Sequence, residues 1–279
     1  MVENGGRLLG RRFRDISRLL LKAFGKARKE QTTRHTHFLS TSLRRLLVAD
    51  MVASMLMGKP TLHRGLKKIE ALRKSQGALR DMQEVGKKAA TLTDLGRFQS
   101  GFIQYLSRRE TVIGKAIAKS IASFDLGWLE KIAVGRDWRK CCECKLVSQP
   151  EELPGTLLAK VLSYRQAAIE GEDLEALHKL RVKYKKYRYA VEFLHPDHIY
   201  RSESCFCRLK ETQRVLGEAH DWVVVIESWR QFASTGGVAH EAPVPDIMNV
   251  RLKETSFMAR EMLKAELPWL ARLEGLALT

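Results

Sequence analysis

The stretch LHKLRVKYKKYRYAVEFL (residues 177–194) combines helical periodicity with an excess of positive charge. It contains six Lys or Arg residues, one His and a single Glu among large apolar residues. At about 100° per residue, its apolar side chains fall on one face of a helix. That face comprises Leu177, Leu180, Tyr184, Tyr187, Val191 and Leu194. The segment is therefore predicted to be a helix that packs against a core along this face.

A cationic stripe lies directly beside the apolar face of this predicted helix. Its residues are spaced at i, i+3, i+7 and i+10: His178, Arg181, Lys185 and Arg188. The other lysines point elsewhere and are expected to be solvated: Lys179, Lys183 and Lys186. Like charges at helical spacing repel, and only Glu192 offsets them. Because Arg and Lys suit phosphate oxygens, the stripe favours a site for a run of phosphates, with an ordinary solvated face as the alternative.

The composition of the whole chain fits a globular protein with an anionic partner. The formal net charge is +17 over 279 residues, and 44% of the residues are apolar. The candidate partners are nucleic acid, an anionic membrane surface or another polyanion. No secretory signal is recognisable, and no apolar run reaches the roughly 18–20 residues of a membrane span. The five cysteines lack the spacing of a disulfide framework, so a cytoplasmic, reduced protein is expected.

Apolar residues recur at three- and four-residue steps through most of the chain, which predicts an all-α fold. Long helices are predicted at 7–29, 33–58, 62–89, 94–133, 154–170, 173–194, 203–233 and 247–274. Proline and glycine predict a linker at 145–155 and a loop at 234–246. The basic amphipathic segment 6–29 is expected to be the first bundle helix, and the alternative is a helix that lies on an anionic surface.

The two halves of the chain share a weak internal repeat. In each half, a helix with His and basic residues precedes a helix that contains Gly-x-x-basic-Asp. His37 corresponds to His178 at an offset of 141 residues. The second helices correspond at an offset of 140, which pairs Gly77 with Gly217 and Asp81 with Asp221. The repeat predicts two pseudo-symmetric helical bundles, residues 1–149 and 150–279, with a basic cleft between them.

The first half keeps only part of the cationic stripe. Its matching residues are His37, Arg44 and Arg45. Ser40 and Leu47 stand where the second half has Arg181 and Arg188. The two halves are therefore not expected to contribute equally to ligand binding. Arg34 lies one turn earlier and is expected to substitute on the same face. The following helices add further cations, which are either ligand contacts or ordinary surface charges: Lys67, Lys74, Lys210 and Arg214.

The motif LHKLRVKYKKYRYAVEFL, followed by RLKETQRVLGEAHD, resembles the CHAD domain, the conserved-histidine α-helical domain. Members typically show a His-x-x-Arg-x-x-x-(Arg/Lys) helix twice, each followed by a helix that ends near Leu-Gly-x-x-x-Asp. The resemblance extends over nearly the whole chain and is degenerate in the first copy. It implies two helical bundles around a basic cleft, inorganic polyphosphate as the ligand, and association with polyphosphate granules. The contacts it implies are His178, Arg181, Lys185 and Arg188, followed by His37, Arg44 and Arg45.

Catalytic motifs are not recognisable in the sequence. The Glu-x-Glu-x-Lys signature of the hydrolase domain that often accompanies CHAD is absent, as are a Walker A loop and His-Glu-x-x-His. Cleavage of phosphoanhydrides normally needs carboxylates that hold a metal, and no such cluster is visible. A binding protein without a cofactor is therefore predicted, rather than an enzyme. The alternatives are a nucleic-acid-binding protein and, less favoured, a phosphohydrolase.

Three smaller sets of residues have two interpretations each. Asp81 and Asp221 either orient a cleft His or Arg or, as the favoured interpretation, cap or kink a helix. Gly77 and Gly217 are predicted to allow close helix packing, and the tyrosines of 177–194 are predicted to be core residues. Four cysteines could hold zinc, although reduced thiols are favoured: Cys141, Cys144, Cys205 and Cys207.

Overall fold

The computed structural model describes residues 5–57, 65–92, 95–130, 152–171, 173–194, 203–237 and 243–265. Within these ranges the chain forms long α-helices and no strand, which confirms the predicted all-α class. The helices are α1 Gly5–Lys29, α2 Thr33–Met57, α3 Leu66–Thr91, α4 Gln99–Ala122, α5 Glu152–Glu170, α6 Leu174–Leu194, α7 Glu203–Phe232 and α8 Asp246–Ala265. In these parts of the chain, no helix is both long and apolar enough to cross a bilayer.

The predicted helix 94–133 is too long, because local features interrupt it at both ends. A 3₁₀ turn at Gly96–Phe98 precedes α4, and Gly96 has φ of 52°, in the left-handed region that glycine tolerates. After α4 the chain turns at Ser123. There Arg28 of α1 donates hydrogen bonds to the carbonyls of Ile121 (3.1 Å) and Phe124 (2.5 Å). Carbonyls that a continuing helix would satisfy are thus satisfied by α1.

Helix α6 lies at the centre of the fold. It packs against α2, α5 and α7, so its apolar face is buried as predicted. Tyr184 and Tyr187 are core residues, at 0% and 3% exposure. At the C-terminal end of α6, Arg12 of α1 donates hydrogen bonds to the carbonyls of Phe193 (3.2 Å) and Leu194. Because α1 also buries its own apolar face, the prediction that it is a bundle helix is confirmed.

Two apolar clusters hold the helices together, and each draws on both halves of the sequence. The larger one joins α1 and α2 to α5 and α6. The second joins α3 and α4 to α7, where Phe102 and Trp229 meet edge to face with ring centroids 5.1 Å apart. Such aromatic pairs contribute about 0.5–1.5 kcal/mol beyond the burial of their area. The boundary between 1–149 and 150–279 stays a prediction, as does the internal duplication.

The packing brings corresponding helices of the two halves into contact. Helix α2 packs against α6, and α3 packs against α7. These four helices therefore surround a common space, which contains the candidate site.

Candidate functional site

A cavity of about 1090 Å³ lies between α2, α3, α6 and α7. Both helices of the predicted stripe, α2 and α6, line it. Of the residues proposed from the sequence, the structure brings together Arg44, Lys74, His178, Arg181 and Lys185 at this cavity. Arg73, Arg80, Lys186 and His220 line it as well and were not among the predicted contacts.

On α6, the stripe of His178, Arg181 and Lys185 faces the cavity, and a second row beside it does so too. That second row is Val182, Lys186 and Tyr189 at i, i+4 and i+7. The prediction that Lys186 points elsewhere is therefore wrong, because the cavity is wider than one stripe of a helix. Lys179 and Lys183 are off the cavity, as predicted: Lys179 pairs with Glu175 at 3.0 Å, and Lys183 lies over the ring of Tyr164.

Lys185 lies close to other cationic side chains of the cavity. Burial, followed by the charges of Arg181, Arg44 and Arg80, lowers the pKa of Lys185 to about 6. Burial also lowers the pKa of Arg181, against the opposing effect of Asp221 and Asp81. These cations are close enough to penalise one another, so an anion between them would relieve their repulsion.

His178 and His220 form a pair at the wall of the cavity. Their Nδ1 atoms are 3.1 Å apart and their ring centroids 4.5 Å apart, so that one Nδ1 donates a hydrogen bond and the other accepts it. Burial, followed by the charge of Arg181, lowers the pKa of His220 to about 3. His220 and Arg80 both occupy the basic position of Gly-x-x-basic-Asp. That shared position is the sequence signal that could have identified both residues.

Asp81 and Asp221 lie in the middle of α3 and α7, so the prediction that they cap a helix is wrong, and the kink given with it stays a prediction. Asp221 instead approaches Arg181, with Oδ1 at 4.0 Å from the guanidinium Nη2. Burial raises the pKa of Asp221 to about 6, against the charges of Arg181 and Lys88. Asp81 lines the cavity itself. Both carboxylates act electrostatically on cationic side chains of the site, and the alternative role of orienting a His or Arg through a bond stays a prediction.

The two glycines that precede these aspartates, Gly77 and Gly217, have different surroundings. A Cβ at Gly77 would meet no atom within 4 Å, and Gly77 lines the cavity, so its predicted role in close packing is wrong. A Cβ at Gly217 would lie 4.0 Å from Nε of Arg181. Gly217 therefore lies directly beside a cationic side chain of the site.

Arg45 and Arg188 do not line the cavity, because Glu192 holds both. Arg188 Nη1 donates to Glu192 Oε1 at 2.8 Å, and Arg45 Nε donates to Glu192 Oε2 at 3.1 Å. Arg188 also lies over the ring of Tyr189 at 4.4 Å. The last cation of the stripe predicted on α6 is therefore held by Glu192 of the same helix, and the pair of Arg45 with Glu192 joins α2 to α6.

The other predicted contacts lie on exposed surface away from the cavity lining: Arg34, His37, Lys67, Lys210 and Arg214. Arg214 pairs with Glu211 at 2.6 Å. Burial of part of the ring, followed by the charges of Arg80 and Arg44, lowers the pKa of His37.

The zinc hypothesis falls largely outside the described residues, which exclude Cys141, Cys144 and the side chain of Cys205. Cys207 is an exposed free thiol. Among the residues that the structure describes, no group of three or more His, Cys, Asp or Glu side chains is arranged to hold a metal ion.

Residues 131–230 match the family model of the CHAD domain. The resemblance to the CHAD domain is thereby confirmed. The crystal structure of the CHAD domain from the plant Ricinus communis shares 17% identity and a TM-score of 0.64, covering 98% of this chain and 91% of that one. PptA from Streptomyces chartreusis shares 14% identity and a TM-score of 0.61, covering 97% and 99%. At these identities the likeness concerns the fold, and no curated protein matches the chain.

The CHAD match includes the second copy of the repeat and excludes the first. This agrees with the departures in the first half, where Ser40 and Leu47 replace cations of the CHAD pattern. In the structure Ser40 is fully buried, whereas Leu47 lines the cavity near Arg44. The first half nevertheless brings cations to the cavity from α3, with Arg73, Lys74 and Arg80.

The contact of Glu192 with two arginines predicts a structural role that can be tested. Glu192→Gln is expected to lower the free energy of unfolding by about 1–3 kcal/mol, because two charge-assisted hydrogen bonds weaken in a half-buried environment. Denaturant unfolding measures the change. The matched control is Glu211→Gln, which removes an exposed pair with Arg214 and is expected to have a much smaller effect. Equal losses of unfolding free energy in the two variants would contradict the structural role of Glu192.

Proposed function

We propose that the cavity binds inorganic polyphosphate and that the protein acts as a binding protein rather than as an enzyme. One observation carries the proposal. Among the described residues that line the cavity, seven Lys or Arg and two His side chains stand against three carboxylates, Asp50, Glu70 and Asp81. Polyphosphate carries closely spaced charges with no sugar or base between them, which suits cations that converge on one cavity from three helices, α2, α3 and α6.

The resemblance to the CHAD domain supports the same ligand, because it implies polyphosphate binding. The placement of the carboxylates supports binding over hydrolysis. Asp221 lies beside Arg181, and Asp81 acts electrostatically on Arg181 and Lys185. Cations that already attract these carboxylates would compete with the metal ions that phosphoanhydride cleavage normally uses. A phosphohydrolase would instead shorten polyphosphate in the presence of Mg²⁺, which gel electrophoresis of the polymer detects.

The proposed ligand also implies a place in the cell. A polyphosphate-binding protein of this kind is expected in the cytoplasm, with a fraction on polyphosphate granules. A fluorescent fusion should co-localise with stained granules, and should lose that pattern in cells that make no polyphosphate. A fusion that stays on granule-free membranes would contradict this expectation.

The alternative that the charge allows is nucleic-acid binding, and a competition experiment separates the two. Long-chain polyphosphate is expected to outcompete duplex DNA, single-stranded DNA and RNA at equal charge concentration and physiological salt. A cleft between helix pairs admits a thin chain, whereas a duplex is recognised by an element that enters its groove. Salt weakens all of these complexes and does not discriminate between them. Displacement of bound polyphosphate by duplex DNA would favour the nucleic-acid function instead.

A further inference from the structure

The cavity has an apolar end that an inorganic polyanion would not use. Leu47, Met51 and Met55 recur along α2 at i, i+4 and i+8, and all line the cavity. Leu66 at the start of α3 and Val182 on α6 face the same space. Met55 and Val182 leave 46% and 37% of their surface exposed. Exposed apolar side chains at a cavity are typical of a site that buries apolar ligand surface.

The apolar and cationic parts of the cavity lie at different positions along α2 and α3, whereas on α6 Val182 lies next to Arg181. Met55 is near the end of α2, and Leu66 begins the helix that follows it. Arg44 is eleven residues before Met55, or about 16 Å along the axis, and Arg80 lies in the middle of α3. A ligand could therefore extend from the arginines to the methionines within one cavity.

Two carboxylates limit how far phosphate groups could extend towards the apolar end. Glu70 lies one turn from Leu66 on α3, and the buried Asp50 precedes Met51 on α2. Arg73 and Lys74, one turn further along α3, begin the cationic part. Like-charge repulsion from Glu70 and Asp50 would oppose a polyphosphate chain that filled the whole cavity.

The internal repeat gives a second indication that the cavity has an apolar part distinct from its cationic part. Leu47 and Met51 stand 141 residues before Arg188 and Glu192, the offset that pairs His37 with His178. Arg188 and Glu192 form an ion pair outside the cavity lining, whereas Leu47 and Met51 face the cavity. The departure from the repeat thus places apolar surface where a ligand would lie.

We infer that, besides inorganic polyphosphate, the cavity binds an amphiphilic phosphate, in which an aliphatic chain carries a diphosphate or longer phosphate head. The inference rests on the proposed phosphate-binding function of the same cavity. The head binds among Arg44, Arg181 and Lys185, and the chain lies along Leu47, Met51 and Met55. These α2 side chains span about 12 Å and are aliphatic or thioether groups, which adapt to a flexible chain. Tyr189, an aromatic residue in the lining, lies under the guanidinium of Arg188 instead, 4.4 Å from the ring centroid.

The test compares ligands that share a diphosphate head. Calorimetric titrations use inorganic pyrophosphate, decyl diphosphate below its aggregation concentration, and adenosine diphosphate, with long-chain polyphosphate as a reference. Decyl diphosphate is expected to bind at least tenfold more tightly than pyrophosphate. The affinity of adenosine diphosphate is expected to exceed that of pyrophosphate by a much smaller factor. Met51→Ser with Met55→Ser should remove the gain and leave pyrophosphate affinity unchanged. The control Met258→Ser removes an exposed methionine of α8 that is 57% exposed and outside the cavity lining, and should retain the gain.

The outcomes separate this inference from the proposed function. Binding of pyrophosphate and polyphosphate without any gain from the decyl chain would overturn the inference and leave the proposed function standing. A gain that persists in the Met51→Ser, Met55→Ser variant, or an equal gain for adenosine diphosphate, would also overturn it. Failure of polyphosphate and pyrophosphate alike to bind the wild-type protein would overturn the proposed function, and the inference with it. Circular dichroism confirms that each variant is folded.

Discussion

Replacing Arg181 and Lys185 together by methionine is expected to weaken polyphosphate binding by at least about a hundredfold. Both side chains line the cavity and are largely buried there. A charge-assisted hydrogen bond contributes about 1.5–3 kcal/mol, so the loss of two contacts costs about 3 kcal/mol or more. Methionine keeps much of the apolar volume of both side chains. Isothermal titration calorimetry at pH 6, where Lys185 is substantially charged, measures the effect.

Thermal stability of this variant is expected to hold or to rise. Arg181, Lys185, Arg44 and Arg80 penalise one another in the folded protein, and the double substitution removes half of this crowded group. Asp221 loses the cation nearest to it, but its pKa is already raised to about 6 by burial, so protonation limits the cost. A strong fall in melting temperature would show that the cations have a structural role.

The matched control removes two charges from the same helix. Lys179→Met with Lys183→Met changes the net charge equally, and neither residue lines the cavity. This variant is expected to bind polyphosphate nearly as well as the wild type. If the two double variants lose affinity equally, binding follows the overall charge of the protein and does not depend on the cavity.

Polyphosphate affinity is also expected to fall as the pH rises from 6 to 8, by up to about tenfold per unit. The pKa of Lys185 is lowered to about 6, so the amine is increasingly neutral above that pH. A bound polyanion favours the charged form and raises this pKa, so binding takes up a proton over the interval. The groups that act on Lys185 are Arg181, Arg44 and Arg80, which lower its pKa, and Asp81, which raises it. Burial and the charge of Arg181 lower the pKa of His178, which adds to the effect in the same direction.

Lys185→Arg is the variant that isolates this contribution. Arginine keeps the positive charge over the whole interval, so the affinity should remain high while the pH dependence flattens. Titrations in buffers of different ionisation enthalpy should show smaller proton uptake than in the wild type. A pH profile identical to that of the wild type would contradict the role of Lys185.

Much of the fold follows from the periodicity of the sequence, because helices of this length have long apolar faces. The face of α6 and the ends of most helices agree with the pattern. The interruption near Gly96 does not follow, since apolar spacing continues through it. The end of α4 depends on Arg28 of α1, a contact between distant segments.

The sequence predicts only part of the candidate site. Of the cationic stripe on α6, His178, Arg181 and Lys185 line the cavity and Arg188 does not. The cationic stripe on α6 continues to Arg188, but packing against α2 brings Glu192 within reach of both Arg188 and Arg45. Glu192 lies four residues after Arg188, a spacing that favours an ion pair on a helix and could have indicated this arrangement. Arg80 and His220 belong to the following helices, and only the tertiary packing shows that they face the same space.

A structure of the protein with bound polyphosphate tests the central claim most directly. We expect phosphate groups between α2, α3, α6 and α7, in contact with Arg44, Arg181 and Lys185. Phosphate groups bound only to the exposed basic residues of the surface, such as those of α1, with the cavity side chains unchanged, would contradict it.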